Sequence, residues 1–456
     1  VNSGAKDTLS PAPQDTAPKL RFYVFDDEEY VQGKYKKRNA KKKTKIKKEN
    51  GIKTAYNYNV LKIEKSGSYE NRFILKNTSL EVEIDPIFDL NIHLKITAED
   101  ALQKSRWCAG FRPFYKPFIE IQGWDSYLKF QKYNSPTQLE GAILAGRRNI
   151  RAPHLFQYTH LQLDGSVKFV LNQFHALNIN PKFLYLQRND QNLLGILAKG
   201  AENLSQSNGL PGFTVNYQWD NTHLLGPNYT KDGAKAQIKF SSYYSLNKSK
   251  VLFNELRLDF RKYIPVLKNY VLALRLQSGF NWGPSKQLYM LGGLENWAFY
   301  SFENAVDLPF LKPVENIYFT QFITSMRGFN YNARNGNQFG LLNTEFRIPI
   351  LKLVPQYLIT KALYNLTGVL FYDLGIAWKT GNPLSQKNPI DAQTIISPPF
   401  TIVVQSLKSP FIMGVGAGIR LQFLGHTTRV DFSWPIEDGV FTRLSPQIAL
   451  SLGKDF

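Results

Sequence analysis

Through most of its length this chain places apolar side chains at every second position, with charged, polar or small residues between them. Leu252, Leu256, Leu258 and Phe260 oppose Glu255, Arg257 and Asp259, and Tyr270, Leu272, Leu274 and Leu276 oppose Arg275 and Gln277. Further on, Met413, Val415, Ala417, Ile419, Leu421 and Phe423 oppose Gly414, Gly416, Gly418, Arg420 and Gln422; then Val430, Phe432 and Trp434 oppose Arg429, Asp431 and Ser433. A period of two sends successive side chains to opposite faces of a strand, so each segment has one apolar and one polar face. Asp220, Asn221, Gly226, Pro227 and Asn228 separate one alternating run, Phe213 to Trp219, from the next at Ile238, Phe240 and Tyr244. That is the signature of an antiparallel hairpin. A soluble sandwich would hide its apolar face against a second sheet. Here the opposite face carries too much charge for a dry core, and the two faces together fit a closed barrel with lipid outside and water inside. The expected fold is all-β, a transmembrane antiparallel β-barrel.

Composition is consistent with this. The 456 residues include no apolar run of 18 or more, which excludes helical membrane spans. A mean hydropathy of -0.30 still suits a barrel, whose strands need only about 9 to 11 residues with apolar side chains at alternate positions. Aromatic residues near the expected strand ends, Trp282, Tyr289, Trp297, Tyr318, Tyr372, Trp378 and Trp434, fit interfacial girdles. The sequence starts at Val1 with no charged n-region or apolar h-region, as expected of a mature form whose export signal has been removed. The single Cys108 forms no intramolecular disulfide and reads as a small apolar residue.

Residues 1–54 differ from the rest. The first twenty or so are rich in Ser, Pro, Ala, Asp and Thr, a composition that cannot offset the entropy of ordering. Phe22 to Phe25 then form an aromatic patch followed by Asp26, Asp27, Glu28 and Glu29; between Lys34 and Lys48 ten of fifteen residues are Lys or Arg, with Lys41, Lys42 and Lys43 at the centre. Such a run repels itself and stays solvated in isolation. It suits contact with anionic lipid headgroups, an acidic partner or the acidic stretch just upstream, or it serves only as a solvated segment. Nucleic acid is not expected, since no fold with interleaved aromatics accompanies it. The expected organisation is a flexible tail over 1–54 and the barrel over 55–456.

Within the barrel, Arg327-Gly328-Phe329 sits on a long loop. An arginine carried into the lumen on such a loop is desolvated and needs carboxylates, and two are well placed. In the strand through Leu342, Thr344, Phe346, Ile348 and Ile350, Glu345 lies on the opposite face with Asn343 and Arg347; in the strand through Leu370, Tyr372, Leu374, Ile376 and Trp378, Asp373 does so with Gly375. Leaving such a buried charge unpaired costs roughly 3 to 5 kcal/mol. Gly414, Gly416 and Gly418 on one strand let the sheet bend or a luminal loop approach closely. Asp431 and Arg429 are expected to serve as luminal salt-bridge partners. The histidines at 93, 154, 160, 175, 223 and 426 never fall at metal-ligand spacing, and no serine nucleophile elbow occurs. Neither enzymatic activity, metal nor cofactor is expected.

These features carry a family resemblance. Asp220-Asn221 with Gly233, Gly292-Gly293 before a long loop, Arg327-Gly328-Phe329, Glu345 with Arg347 and Pro349, Asp373 with Gly375 and Trp378, Gly414/Gly416/Gly418 with Arg420, and Phe456 together resemble the barrel of the bacterial surface antigen superfamily. That superfamily includes BamA-type insertases and two-partner-secretion transporters, and the likeness is strongest over residues 210 to 456. It implies an outer-membrane barrel of sixteen strands whose sixth extracellular loop tucks into the lumen as a plug. There the arginine, here Arg327, is held by the acids, here Glu345 and Asp373. A last strand near Leu444 to Phe456, with Leu450 and Leu452 alternating before the terminal aromatic Phe456, looks like the assembly signal of outer-membrane barrels and would form half of a seam. Residues 1 to about 55 are too short and basic for a POTRA module, and Gly292 to Trp297 resembles a Bacteroidota group. The expected function is assistance in protein insertion or translocation, with outer-membrane lipids and lipopolysaccharide, a periplasmic or outer-membrane protein and unfolded barrel clients as partners. A scaffold for a partner complex and a passive pore stand as alternatives.

Overall fold

The computed structural model describes residues 72–453, apart from 88, 117–119, 151–155, 191–204, 225–230, 268–269, 302–317, 351–365, 380, 385–390, 398–399, 407–408 and 424–425. The expected tail with Phe25, Asp26, Asp27, Lys41, Lys42 and Lys43, and the terminal Phe456, lie outside the described residues.

Among the described residues sixteen long strands follow one another around a barrel: β1 (Phe73–Asp85), β2 (Asp89–Asp100), β3 (Ser105–Lys116), β4 (Glu120–Asn134), β5 (Thr137–Ile150), β6 (Phe156–Val170), β7 (His175–Asp190), β8 (Ser205–Asp220), β9 (Lys231–Ser245), β10 (Lys250–Leu267), β11 (Tyr270–Trp282), β12 (Gln338–Ile348), β13 (Thr367–Trp378), β14 (Phe411–Phe423), β15 (His426–Glu437) and β16 (Gln447–Gly453). Each pairs antiparallel with the next. A two-residue piece of the β11–β12 connection, Trp297–Ala298, pairs antiparallel with β16. No ladder joins β16 to β1 among the described residues, so the barrel is nearly closed and keeps a seam. Glu81 to Asp85 belong to the first of these strands.

The alternation read in the sequence is the alternation of burial. Along β12 every second residue is buried, from Phe339 to Arg347, and along β13 Val369, Phe371, Asp373, Gly375 and Ala377 face inward while Leu370 and Tyr372 face out. Leu276, Leu370 and Ile419 are 54%, 53% and 41% exposed on the outer wall, amid many other large apolar side chains. An apolar belt of this extent is stable only against lipid. No helix among the described residues is long and apolar enough to cross a membrane. Leu252 departs from the pattern: it is buried, its carbonyl accepting from Ser285 N in the turn after β11.

The connection from β11 to β12 is the longest that the described strands leave open. Part of it forms a small sheet, with Tyr289–Leu291 parallel to Gln321–Ile323 and antiparallel to Arg334–Gly336. Tyr289, Leu291, Ile323, Met326, Phe329 and Ala333 pack on the inward-facing Phe339, Leu341, Ala377 and Ile412. Three aromatics expected in the girdles, Tyr289, Trp297 and Tyr318, are instead buried along this loop. Aromatics that pack a loop are compositionally indistinguishable from aromatics that mark an interface.

The outer face makes a direct prediction. Leu276→Arg, at the middle of β11, should destabilise the barrel by about 2 to 4 kcal/mol, whereas Leu276→Phe, which keeps an apolar face toward lipid, should cost much less. Urea titration of the protein in lipid vesicles, followed by tryptophan fluorescence, distinguishes them.

Candidate functional site

Arg327 is the centre of a buried ion network. Its Nε and Nη2 donate to Oδ2 and Oδ1 of Asp373, both at 2.6 Å, and its backbone N reaches Oδ2 at 3.2 Å. Nη1 donates to Glu345 Oε1 at 2.6 Å. The guanidinium lies 3.7 Å from the centre of the Phe371 ring. A planar fork bonded to two carboxylates and stacked on an aromatic is a geometry that lysine cannot reproduce.

The network extends beyond these three side chains. Arg347 donates to Glu345 Oε2 from Nε at 3.0 Å and from Nη2 at 2.8 Å. Arg420 lies 3.8 Å from Glu345 Oε1 and donates to Asp431 Oδ1 at 2.6 Å. Asn343 donates to Asp373 Oδ1 at 2.7 Å and to the Ser325 carbonyl, tying wall to loop. Three arginines thus meet three carboxylates, all nearly inaccessible. Burial works against the charge on Arg327, but Asp373 and Glu345 outweigh it and hold its pKa above the ordinary arginine value. The expected pairing of Asp431 with Arg429 is replaced: Asp431 takes Arg420, and Arg429 Nη2 donates to the Glu295 carbonyl at 3.1 Å.

Glycine makes the close approach possible. A Cβ at Gly414 would strike the Arg327 carbonyl oxygen, so β14 can accept the loop only without a side chain there. Gly328 has φ +90°, a left-handed conformation that suits glycine, and lies against the Trp434-Pro435 backbone. Phe329 continues into the apolar cluster against Phe339 and Leu341.

The loop reaches other walls as well. Tyr289 and Gln321 both donate to Glu255 Oε1, at 2.9 and 2.8 Å, and Tyr318 bonds Gln162 on β6. Leu450 and Leu452 lie half-exposed on β16, where Leu450 opposes Ala298 of the loop. Arg327, Gly328, Phe329, Glu345 and Asp373 are therefore brought together; Leu450 and Leu452 belong to a separate place, the seam. Among the described residues no group of three or more His, Cys, Asp or Glu could hold a metal ion.

Fold, lipid-facing belt and luminal arginine define a bacterial outer-membrane β-barrel. The chain belongs to the Omp85 superfamily, whose domain model matches residues 42–456. Among solved structures it is similar to BamA from Haemophilus ducreyi lacking POTRA domains 1–3, at 13% identity and a TM-score of 0.53, covering 84% of this chain and 70% of that one. It is also similar to CdiB from Escherichia coli, at 10% identity and a TM-score of 0.47, covering 82% of this chain and 62% of that one. No curated protein sequence matches it.

Removing one member of the network strands its partners. Arg327→Ala and Asp373→Ala should each destabilise the barrel by about 3 to 5 kcal/mol, and Arg327→Lys should recover only part of the loss. Gly414→Ala should also destabilise it, by displacing the Arg327 backbone. Urea midpoints and heat-modifiable gel mobility measure these effects.

Proposed function

We propose that this barrel assists the insertion or translocation of other proteins at the outer membrane, without enzymatic chemistry. The observation that carries this reading is the seam. Ladders link the sixteen strands in succession, and none returns from β16 to β1 among the described residues. A strand edge is a row of backbone donors and acceptors able to template an incoming strand. The Arg327 network supports such a role by anchoring the loop to β12 and β13, which keeps the lumen in one arrangement while the seam changes. Membership of the Omp85 superfamily and likeness to the BamA barrel point the same way.

On this reading the clients are unfolded barrel proteins, and the surroundings are outer-membrane lipids and lipopolysaccharide. The lysine-rich run around Lys41, Lys42 and Lys43, with Phe25, Asp26 and Asp27 before it, would contact lipid headgroups or a periplasmic or outer-membrane partner.

Reconstitution tests the reading. Vesicles containing the protein should fold an outer-membrane barrel diluted from urea about tenfold faster than empty vesicles, a barrier difference of about 1.4 kcal/mol. Folded, protease-protected product is the readout. Equal rates in the two kinds of vesicle would sink the proposal, and steady ion conductance beside them would mark a passive pore.

A further inference from the structure

Between Leu294 and Tyr300 the loop crosses the seam and bonds both of its edges. On the β16 side, Trp297 and Ala298 pair antiparallel with Ser451 and Leu450, and Leu452 N donates to the Asn296 carbonyl at 3.3 Å. On the β1 side, Ile84 N donates to Asn296 Oδ1 at 3.3 Å, and the Tyr300 hydroxyl donates to the Asp85 carbonyl at 3.3 Å. Asn296 by itself therefore touches both strands. Its φ of +51° lies in the left-handed region, which asparagine enters more readily than most residues. Trp297 anchors the crossing in an apolar cluster with Leu294, Tyr331 and Ala449.

The crossing is held differently from the rest of the loop. Its hydrogen bonds to the edges of β1 and β16 are 3.3 Å long, just past the usual range, and its ladder is two residues long, while Arg429 on β15 and Tyr331 hold the Glu295 and Leu294 carbonyls. The arginine fork at Arg327, much further along the same loop, has charge-assisted bonds of 2.6 Å to two carboxylates. One end of the loop is thus fixed to the wall, and the other rests on the seam by contacts that exchange readily for similar ones. The contacts on β16 are those that any antiparallel strand arriving at Leu450 to Leu452 would make.

We propose that Leu294–Tyr300 is an internal competitor for the seam. It occupies the edge of β16 as a short antiparallel strand, and an extended polypeptide must displace it before pairing there. This inference rests on the strand-templating reading of the seam.

The test uses the full chain in lipid nanodiscs and a fluorescein-labelled peptide of residues 73–85, the strand that would otherwise neighbour β16. In a Cys108→Ser background, Ala298→Cys with Leu450→Cys places two thiols on directly opposed residues, within disulfide reach. Trp297→Ser with Ala298→Pro releases the crossing, since it removes the anchor and a backbone donor. The oxidised pair should bind the peptide about tenfold more weakly than the same sample after reduction, and the released variant about tenfold more tightly than the unaltered chain. Equal affinities in oxidised and reduced samples, with the disulfide verified by mass spectrometry, overturn the inference. The vesicle folding assay on the same samples separates the two readings. Acceleration that locking leaves unchanged overturns the competitor and keeps the insertion function, whereas a locked-to-reduced affinity change with no acceleration in any state supports the competitor and removes that function.

Discussion

A guanidinium taken out of water must find carboxylates, and most of what is distinctive in this barrel follows from that requirement at Arg327. Asp373 and Glu345 answer it from adjacent strands, which fixes the loop against one sector of the wall. Arg347 and Arg420 then balance the second acid, and Asp431 balances Arg420. Each added charge demands its own partner, so the network grows until it closes at three and three. The glycines serve the same demand from the opposite direction, because the loop can bring its arginine to these acids only where β14 has no side chain at Gly414.

The parts of this arrangement that follow a period of two could be read in the sequence. Glu345 and Asp373 stand out because each is an acid on the polar face of a strand whose other face is apolar, and Arg327 because it lies on a loop within reach of both. The barrel class follows from the same alternation. Asp431 and Arg429 share the inner face, which suggests that they pair, but register decides otherwise. Arg420 lies directly opposite Arg429, while Asp431 faces Gly418, whose missing side chain leaves room for the Arg420 guanidinium to lean across. Pairing along a diagonal needs the register, and one strand's sequence does not contain it.

The loop was the least legible element. Its order comes from the walls it touches, so no local periodicity announces it. Tyr289, Trp297 and Tyr318 carry the composition of membrane girdles, and only their burial in the loop's packing separates the two roles. Asn296 gave no signal at all. Its importance rests on two strands at opposite ends of the barrel domain meeting at one residue, a property of the assembled barrel and not of any segment.

That meeting has a consequence for how the barrel is made. Ile84 and Asn296 are 212 positions apart, and Leu452 lies a further 156 beyond. Bringing the ends together directly means closing one very long loop, whereas routing them through the middle of the chain divides the search in two. The entropy of closure grows only slowly with length, by about 0.6 kcal/mol per doubling. The division therefore changes final stability little, and its effect is to give the two ends of the chain one shared contact, in the middle of the sequence, in place of a single direct closure.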